Sequence, residues 1–241
     1  MRKKKKDSIC VVYEGYREGY ILEYLAENSK VKLNPKFCSG GSANSIVITA
    51  IQHSAHGGAV YAFFDEDFEL DPNVQIADET FKTLARLWGL NTANLKKWPY
   101  RQLQNQNVHK RNPILVVSNP VSIEGLILQI HRGSRDSLEK RTTTQLKNAL
   151  DSLIDRCALT GEDVEAIRAI DEKIKKCKRD MQHALSPENK KYLQNEITKW
   201  DRKKSKVKFM CFLHQDLPIS KIENMRNEAP EIDILMEAFQ L

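Results

Sequence analysis

The chain has 241 residues, of which 41% are hydrophobic, and its formal net charge is +6. This length holds one ordinary core with an elaboration or two small domains, since a globular unit takes about 100 to 200 residues. The apolar content excludes a disordered chain, and no apolar run reaches the ~18 residues that a membrane helix needs. The basic N-terminus does not lead into the apolar stretch of a signal peptide, so we expect a folded cytoplasmic protein without a membrane segment.

Charge is distributed unevenly along the chain. Residues 2–6 contribute +5, whereas residues 65–79 hold seven acidic residues and no basic one. This asymmetry favours a polyanionic partner together with a local cation site. For residues 2–6 themselves, contact with nucleic acid and a solvated, solubilising run are equally good interpretations.

The first quarter of the chain alternates short apolar runs with amphipathic segments. The apolar runs are β-rich, and the segments between them repeat at helical spacing. The predicted order is strand, helix, strand, helix, strand, at residues 8–13, 16–26, 31–38, 46–56 and 59–64. Parallel neighbours need crossover helices, so this order predicts an α/β fold with a mostly parallel sheet flanked by helices.

Further along, the pattern predicts the end of the core and then a different architecture. A helix is predicted at 77–88, a fourth core strand at 114–119, and a helix from 122 to about 131. The next segment is rich in lysine and arginine and carries leucines at helical steps, which indicates an insertion of two or three helices. We therefore expect a core at 1–134, a helical insertion at 135–206, and a C-terminal strand and helices at 207–241 that complete the core.

Three predictions about the end of the insertion and the C-terminus are specific enough to test. The last inserted helix is predicted to begin at Ser186-Pro187, because proline fits the first helical turn, and to run to about Lys204. The following segment, VKFMCFLH at 207–214, predicts a strand. Two short helices are expected to close the chain.

Acidic residues follow two of the predicted strands. Glu14 comes directly after the first strand, and Asp65 and Asp67 come after the third. In open α/β sheets the ligand crevice lies at these strand ends, so the three acids are expected to converge. Asp65 and Asp67 point the same way if the chain is extended, which suits Mg²⁺, although a solvated acidic turn is the alternative for this pair. Glu14 favours the metal site, because a carboxylate at the end of a buried strand is costly without a hydrogen bond or a cation.

Three segments resemble motifs of the Toprim superfamily. They are YEGYREGYILEYL at 13–25, FFDEDF at 63–68 and SNPVSIEGLI at 118–127, and the last is most similar to the RloB-like branch of phage-resistance proteins. The resemblance covers residues 8–131. It implies a Toprim-like fold and a metal-dependent active site formed by the glutamate after the first strand and the DxD pair after the third. These positions are Glu14, Asp65 and Asp67 here.

Other residues are candidates for supporting roles at the same edge of the sheet. Glu124 is either a fourth acid near the metal or the N-terminal cap of a helix whose dipole favours an anion. Arg17, one helical step past Glu14, is a candidate contact for the scissile phosphate. Gly40, Gly41 and Ser42 precede the second predicted helix and are candidates for binding a phosphate at its start. The simpler alternative is a flexible turn in which the serine caps the helix.

The expected function is metal-assisted hydrolysis of nucleic-acid phosphodiesters, with Mg²⁺ or alternatively Mn²⁺ as the ion and tRNA or DNA as the substrate. Glu14 would accept a proton or bind a second metal. The resemblance also implies a toxic effector of antiviral defence by abortive infection, with a regulatory ATPase as partner. The oligomeric state is open, a homodimer being one alternative. The alternative function is a non-catalytic, Toprim-derived module that binds nucleic acid or a partner.

Clustered acids also predict a stability effect. Because like charges repel when no metal is bound, we expect Glu14→Ala or Asp65→Ala to leave thermal stability equal or higher.

Overall fold

The computed structural model of the chain describes residues 8–38, 46, 49–50, 53, 59–65, 114–118, 122–133, 138 and 140–241. Its strands are β1 (Ser8–Tyr13), β2 (Lys32–Phe37), β3 (Val60–Asp65) and β4 (Ile114–Ser118). They form a four-stranded sheet in the order β2-β1-β3-β4, and each neighbouring pair is parallel. The prediction of an α/β fold with a parallel sheet is therefore confirmed.

Burial explains the positions of the strands in the sheet. The apolar run of β3 is buried from Val60 to Phe64, and Val11 and Val12 of β1 are fully buried. A strand covered on both faces has such a continuous apolar sequence, and these two strands are central. β2 is an edge strand with exposed residues, and its Pro35, which cannot donate to a ladder, is tolerated there.

Helices in the described part of the chain are α1 (Tyr16–Glu27), α2 (Ile123–Arg132), α3 (Thr143–Arg156), α4 (Gly161–His183), α5 (Pro187–Asp216), α6 (Ile219–Glu223) and α7 (Pro230–Phe239). Those predicted after the first and fourth strands and at the C-terminus are thus confirmed. Of the predicted second helix, Ile46, Thr49, Ala50 and His53 are helical. Its remaining residues and the predicted helix at 77–88 lie outside the described residues. No helix in the described ranges is long and apolar enough to cross a membrane.

The chain divides into two compact units, residues 1–150 with 219–241, and residues 151–218. The second unit is a hairpin of α4 and α5 that encloses a small apolar cluster of Ile170, Ile174 and Ile197. Ser186 caps α5 by accepting a hydrogen bond from the Asn189 N–H at 3.1 Å, and Pro187 occupies the first turn. The predicted helices of the insertion and the start of its last helix are confirmed.

The predicted strand at 207–214 is wrong. This segment is the continuation of α5, which runs to Asp216 rather than to about Lys204. A short apolar run does not distinguish a strand from a segment of a buried helix. In the structure the buried residues of this run belong to the helix, and they are Phe209, Cys211, Phe212 and Leu213. No proline or glycine interrupts the chain between Pro187 and Pro218, so the helix continues until the second proline ends it.

Candidate active site

The strand order makes the space between the carboxyl ends of β1 and β3 the candidate ligand crevice. From β1 the chain moves to one side of the sheet, and from β3 it moves to the other, so the topology switches between these two strands. Ligands of open α/β sheets bind outside the strand ends at such a switch point. Glu14 follows β1 and Asp65 ends β3, and the pairing of Tyr13 with Phe63 sets their strands side by side, about 4.8 Å apart. The structure therefore brings these two predicted acids to the same edge of the sheet.

Asp65 also has a structural contact. Its Oδ1 accepts a hydrogen bond of 2.7 Å from the backbone N–H of Ile123, the first residue of α2. Ser122 is the N-cap residue of α2, but its side chain makes no capping hydrogen bond. A carboxylate at a helix N-terminus satisfies an otherwise unpaired N–H and interacts favourably with the helix dipole. Asp65 thus fixes the start of α2 against the end of β3.

This hydrogen bond reverses the stability expectation for Asp65. We expect Asp65→Ala to lower the free energy of unfolding by about 1 to 2 kcal/mol, because α2 loses its capping acceptor. Asp65→Asn keeps an acceptor oxygen and should recover part of that loss. Urea denaturation in EDTA measures both, with Asp180→Ala on the exposed face of α4 as a control within about 0.5 kcal/mol of wild type. An Asp65→Ala variant more stable than the wild type would instead show that repulsion between the clustered acids outweighs the capping hydrogen bond.

Arg17 and Glu124 form an ion pair with each other. Arg17 Nη1 donates to Glu124 Oε1 at 2.7 Å, and the two side chains are 18% and 11% exposed. The pair joins the first turns of α1 and α2, so two elements at the crevice are held together. Glu124 is not the N-cap of α2, because that position belongs to Ser122. A charge-assisted hydrogen bond of this length orients the guanidinium.

Glu18 is the acid that the sequence interpretation missed. Glu18 is only 4% exposed, and this burial raises the pKa of its carboxyl group to about 7. The negative charges of Glu124 and Glu14 add to that rise, whereas Arg17 opposes it. These three acidic side chains are therefore near enough to interact electrostatically. Glu18 follows Glu14 by four residues, and side chains at this spacing lie on the same face of a helix. This spacing is the sequence signal that could have identified Glu18.

Gly15 leaves room for the Glu18 carboxylate. A Cβ built on Gly15 would overlap Oε2 of Glu18, so the side chain lies directly over the backbone at the start of α1. Any larger residue at position 15 would displace the carboxylate. The glycine at position 15 thus has a steric basis, because it leaves space for the Glu18 side chain.

The donor chemistry of the crevice fits a hard divalent cation. Carboxylate oxygens are the protein ligands that Mg²⁺ prefers, and a buried acid with a raised pKa is stabilised in its charged form by a nearby cation. Ser122 Oγ is fully buried without a hydrogen-bond partner among the described residues, so another polar atom is present at the start of α2. Within the described ranges, no three His, Cys, Asp or Glu side chains are arranged to hold a metal ion. Asp67 lies outside them, as do Gly40, Gly41 and Ser42.

Comparison with known proteins reveals no relative of this chain. No family model matches it, and no curated protein or solved structure does so. The assignment of the site therefore depends on its geometry, its electrostatics and its sequence motifs.

Proposed function

We propose that the protein is a Mg²⁺-dependent nuclease of the Toprim type that cleaves phosphodiester bonds in tRNA or DNA. The observation that carries this proposal is the position of Glu14 and Asp65 at the topological switch point, with the buried Glu18 interacting electrostatically with Glu14. Acids gathered at the one sheet edge where α/β proteins bind ligands favour a catalytic site over an acidic surface turn. The resemblance of segments 13–25, 63–68 and 118–127 to Toprim motifs supports the same assignment.

The metal would be held by Asp65 and Asp67 together with Glu14. When bound, Mg²⁺ neutralises phosphate charge and favours deprotonation of a water. Glu18, with a pKa of about 7, exists in both protonation states near neutral pH, which suits it to exchange a proton with the reacting groups. Arg17 supplies positive charge for a phosphate oxygen.

Glu124 has a positioning role in this mechanism. Its ion pair fixes the Arg17 guanidinium at the crevice, and it also contributes to the raised pKa of Glu18. Removing Glu124 would therefore remove this ion pair and also lower the pKa of Glu18.

The second candidate is a non-catalytic module that binds nucleic acid or a protein partner. Two observations favour it: Asp65 caps α2, and Glu124 pairs with Arg17. Both acids thus have structural roles that need no metal. A binding module would retain these contacts and show no turnover.

A cleavage assay separates the two candidates. The purified chain is incubated with tRNA, plasmid DNA or single-stranded DNA, in Mg²⁺, in Mn²⁺ or in EDTA. We expect cleavage of at least one substrate with either metal and none in EDTA. Retention of nucleic acid without cleavage under every condition would favour the binding module.

The proposed setting is antiphage defence in the cytoplasm, where the nuclease acts as the toxic effector of abortive infection under control of an ATPase partner. This role follows from the resemblance to the RloB-like branch. Expression of the wild-type chain should slow growth of a bacterial host, whereas expression of a Glu14→Gln variant at the same level should not. Equal growth of the two strains, with and without the ATPase partner, would contradict the role.

A further inference from the structure

Two aromatic rings stack on each other at the same edge of the sheet as the acids. Tyr16 and Phe37 have ring centroids 5.1 Å apart and planes inclined by 24°. Both are exposed, at 41% and 43% respectively. Single exposed aromatic residues are ordinary, whereas contiguous exposed apolar side chains are candidates for a binding surface.

Regular secondary structure holds these rings in place. Phe37 is the last residue of β2, and Tyr16 is the first residue of α1. Tyr13, the register partner of Phe37 on β1, lies 5.7 Å from it in a tilted arrangement. The Tyr13 ring in turn lies so near Gly19 that a Cβ there would be 2.8 Å from its Cε2. The pair therefore rests on a packed third ring rather than on a loop.

The position of the pair relative to Glu14 defines what it can bind. Tyr16 follows Glu14 by two residues, which limits the separation of their Cα atoms to about 7 Å. A group that stacks on the rings would then be a near neighbour of a phosphate at the crevice. Aromatic side chains beside a phosphate-binding groove bind nucleotide bases by stacking, independently of base identity.

We propose that Tyr16 and Phe37 form a stacking platform for one unpaired base of the substrate, next to the phosphodiester that is cleaved. This inference rests on the proposed nuclease function and narrows its substrate to single-stranded or locally unpaired nucleic acid. Bases within a duplex are covered by their neighbours and cannot stack on protein side chains unless they are extruded. The net charge of +6 complements the polyanionic strand that carries the base.

Binding of short oligonucleotides in EDTA tests the platform without turnover. The probes are a single strand containing 2-aminopurine, the same strand with one abasic site, and a blunt duplex. We expect the wild-type chain to prefer the intact single strand over the duplex and to quench 2-aminopurine fluorescence. Tyr16→Ala and Phe37→Ala should each weaken binding of the single strand about tenfold, with little effect on the duplex.

Matched variants separate stacking from folding. Tyr16→Phe keeps the ring and should bind as the wild type does, and Tyr192→Ala removes an aromatic that is 64% exposed on the hairpin and should change nothing. If the alanine variants fail to fold, the abasic strand supplies the same test with the wild-type chain, since removing the base should weaken binding about tenfold. Equal affinity for abasic and intact strands at every abasic position would overturn the platform.

The nuclease and the platform can fail separately. Cleavage that is Mg²⁺-dependent but equally fast on duplex and single strand, with unchanged KM in both alanine variants, would overturn the platform and leave the nuclease intact. Aromatic-dependent binding without any cleavage would support the platform and contradict the nuclease. If the wild-type chain binds none of the three probes, the platform is contradicted, whatever the outcome of the cleavage assay.

Discussion

Replacing Glu14 by glutamine should reduce the rate of phosphodiester cleavage by at least about 10²- to 10⁴-fold, the range expected for loss of a proton-transfer group. Glutamine preserves the shape of the side chain at the end of β1 but removes the negative charge that would hold a metal or accept a proton. Single-turnover cleavage of the substrate identified with the wild-type chain measures the effect. Because glutamine keeps the size and the hydrogen-bonding capacity of the side chain, we expect the variant to remain folded.

Glu27→Gln is the matched control for this experiment. Glu27 is exposed and ends the same helix, α1, about 17 Å along the helix axis from its start. Its replacement changes the net charge by the same amount and should leave the cleavage rate unchanged. Retained activity in Glu14→Gln, or equal losses in both variants, would contradict a catalytic role for Glu14 and favour the binding module.

Replacing Glu18 by glutamine should stabilise the protein at alkaline pH. Burial raises the pKa of Glu18 from 4.5 to about 7, so the folded chain binds this proton more tightly than the unfolded chain does. Protonated Glu18 therefore adds to the free energy of unfolding. This contribution is fully present below pH 4.5 and is lost as the pH rises through about 7. A shift of this size amounts to roughly 3 kcal/mol at about 1.4 kcal/mol per pH unit. Glutamine resembles the protonated acid at every pH and therefore avoids the loss.

Thermal melting in EDTA at pH 5 and pH 8 measures this effect. We expect the Glu18→Gln variant to melt up to about 10 °C above the wild type at pH 8, with a much smaller difference at pH 5. Among the residues that the structure describes, the charged groups that interact with Glu18 are Glu124, Glu14 and Arg17, and none of the three is altered in this comparison. A difference in melting temperature that does not depend on pH would show that Glu18 is not the titrating group.

Mg²⁺ adds a second measurement with the same variant. An ion that binds the folded chain raises the melting temperature by mass action, and its charge also favours ionised Glu18. The rise on adding Mg²⁺ at pH 8 should therefore be larger in the wild type than in Glu18→Gln. Identical rises would separate Glu18 from the metal site.

The sequence by itself determined the order of strands and helices around the crevice. Strands buried on both faces must be apolar throughout, so SICVVY and AVYAFF revealed β1 and β3 together with the acids that follow them. Because parallel strands end at one edge of a sheet, the convergence of Glu14 and Asp65 also followed from the order of elements. These conclusions depend on local periodicity and on chain connectivity, which a single sequence contains.

Only the tertiary structure decided how the side chains at the crevice are used. Asp65 caps a helix that begins 58 residues later, and Arg17 pairs with an acid 107 residues away. The burial of Glu18 likewise depends on which elements pack over the start of α1. Contacts between residues so far apart along the chain leave no mark on hydrophobic periodicity. The same reason applies to residues 207–214, whose apolar run fits a strand or a buried helix equally well until its packing partners in the helical hairpin are known.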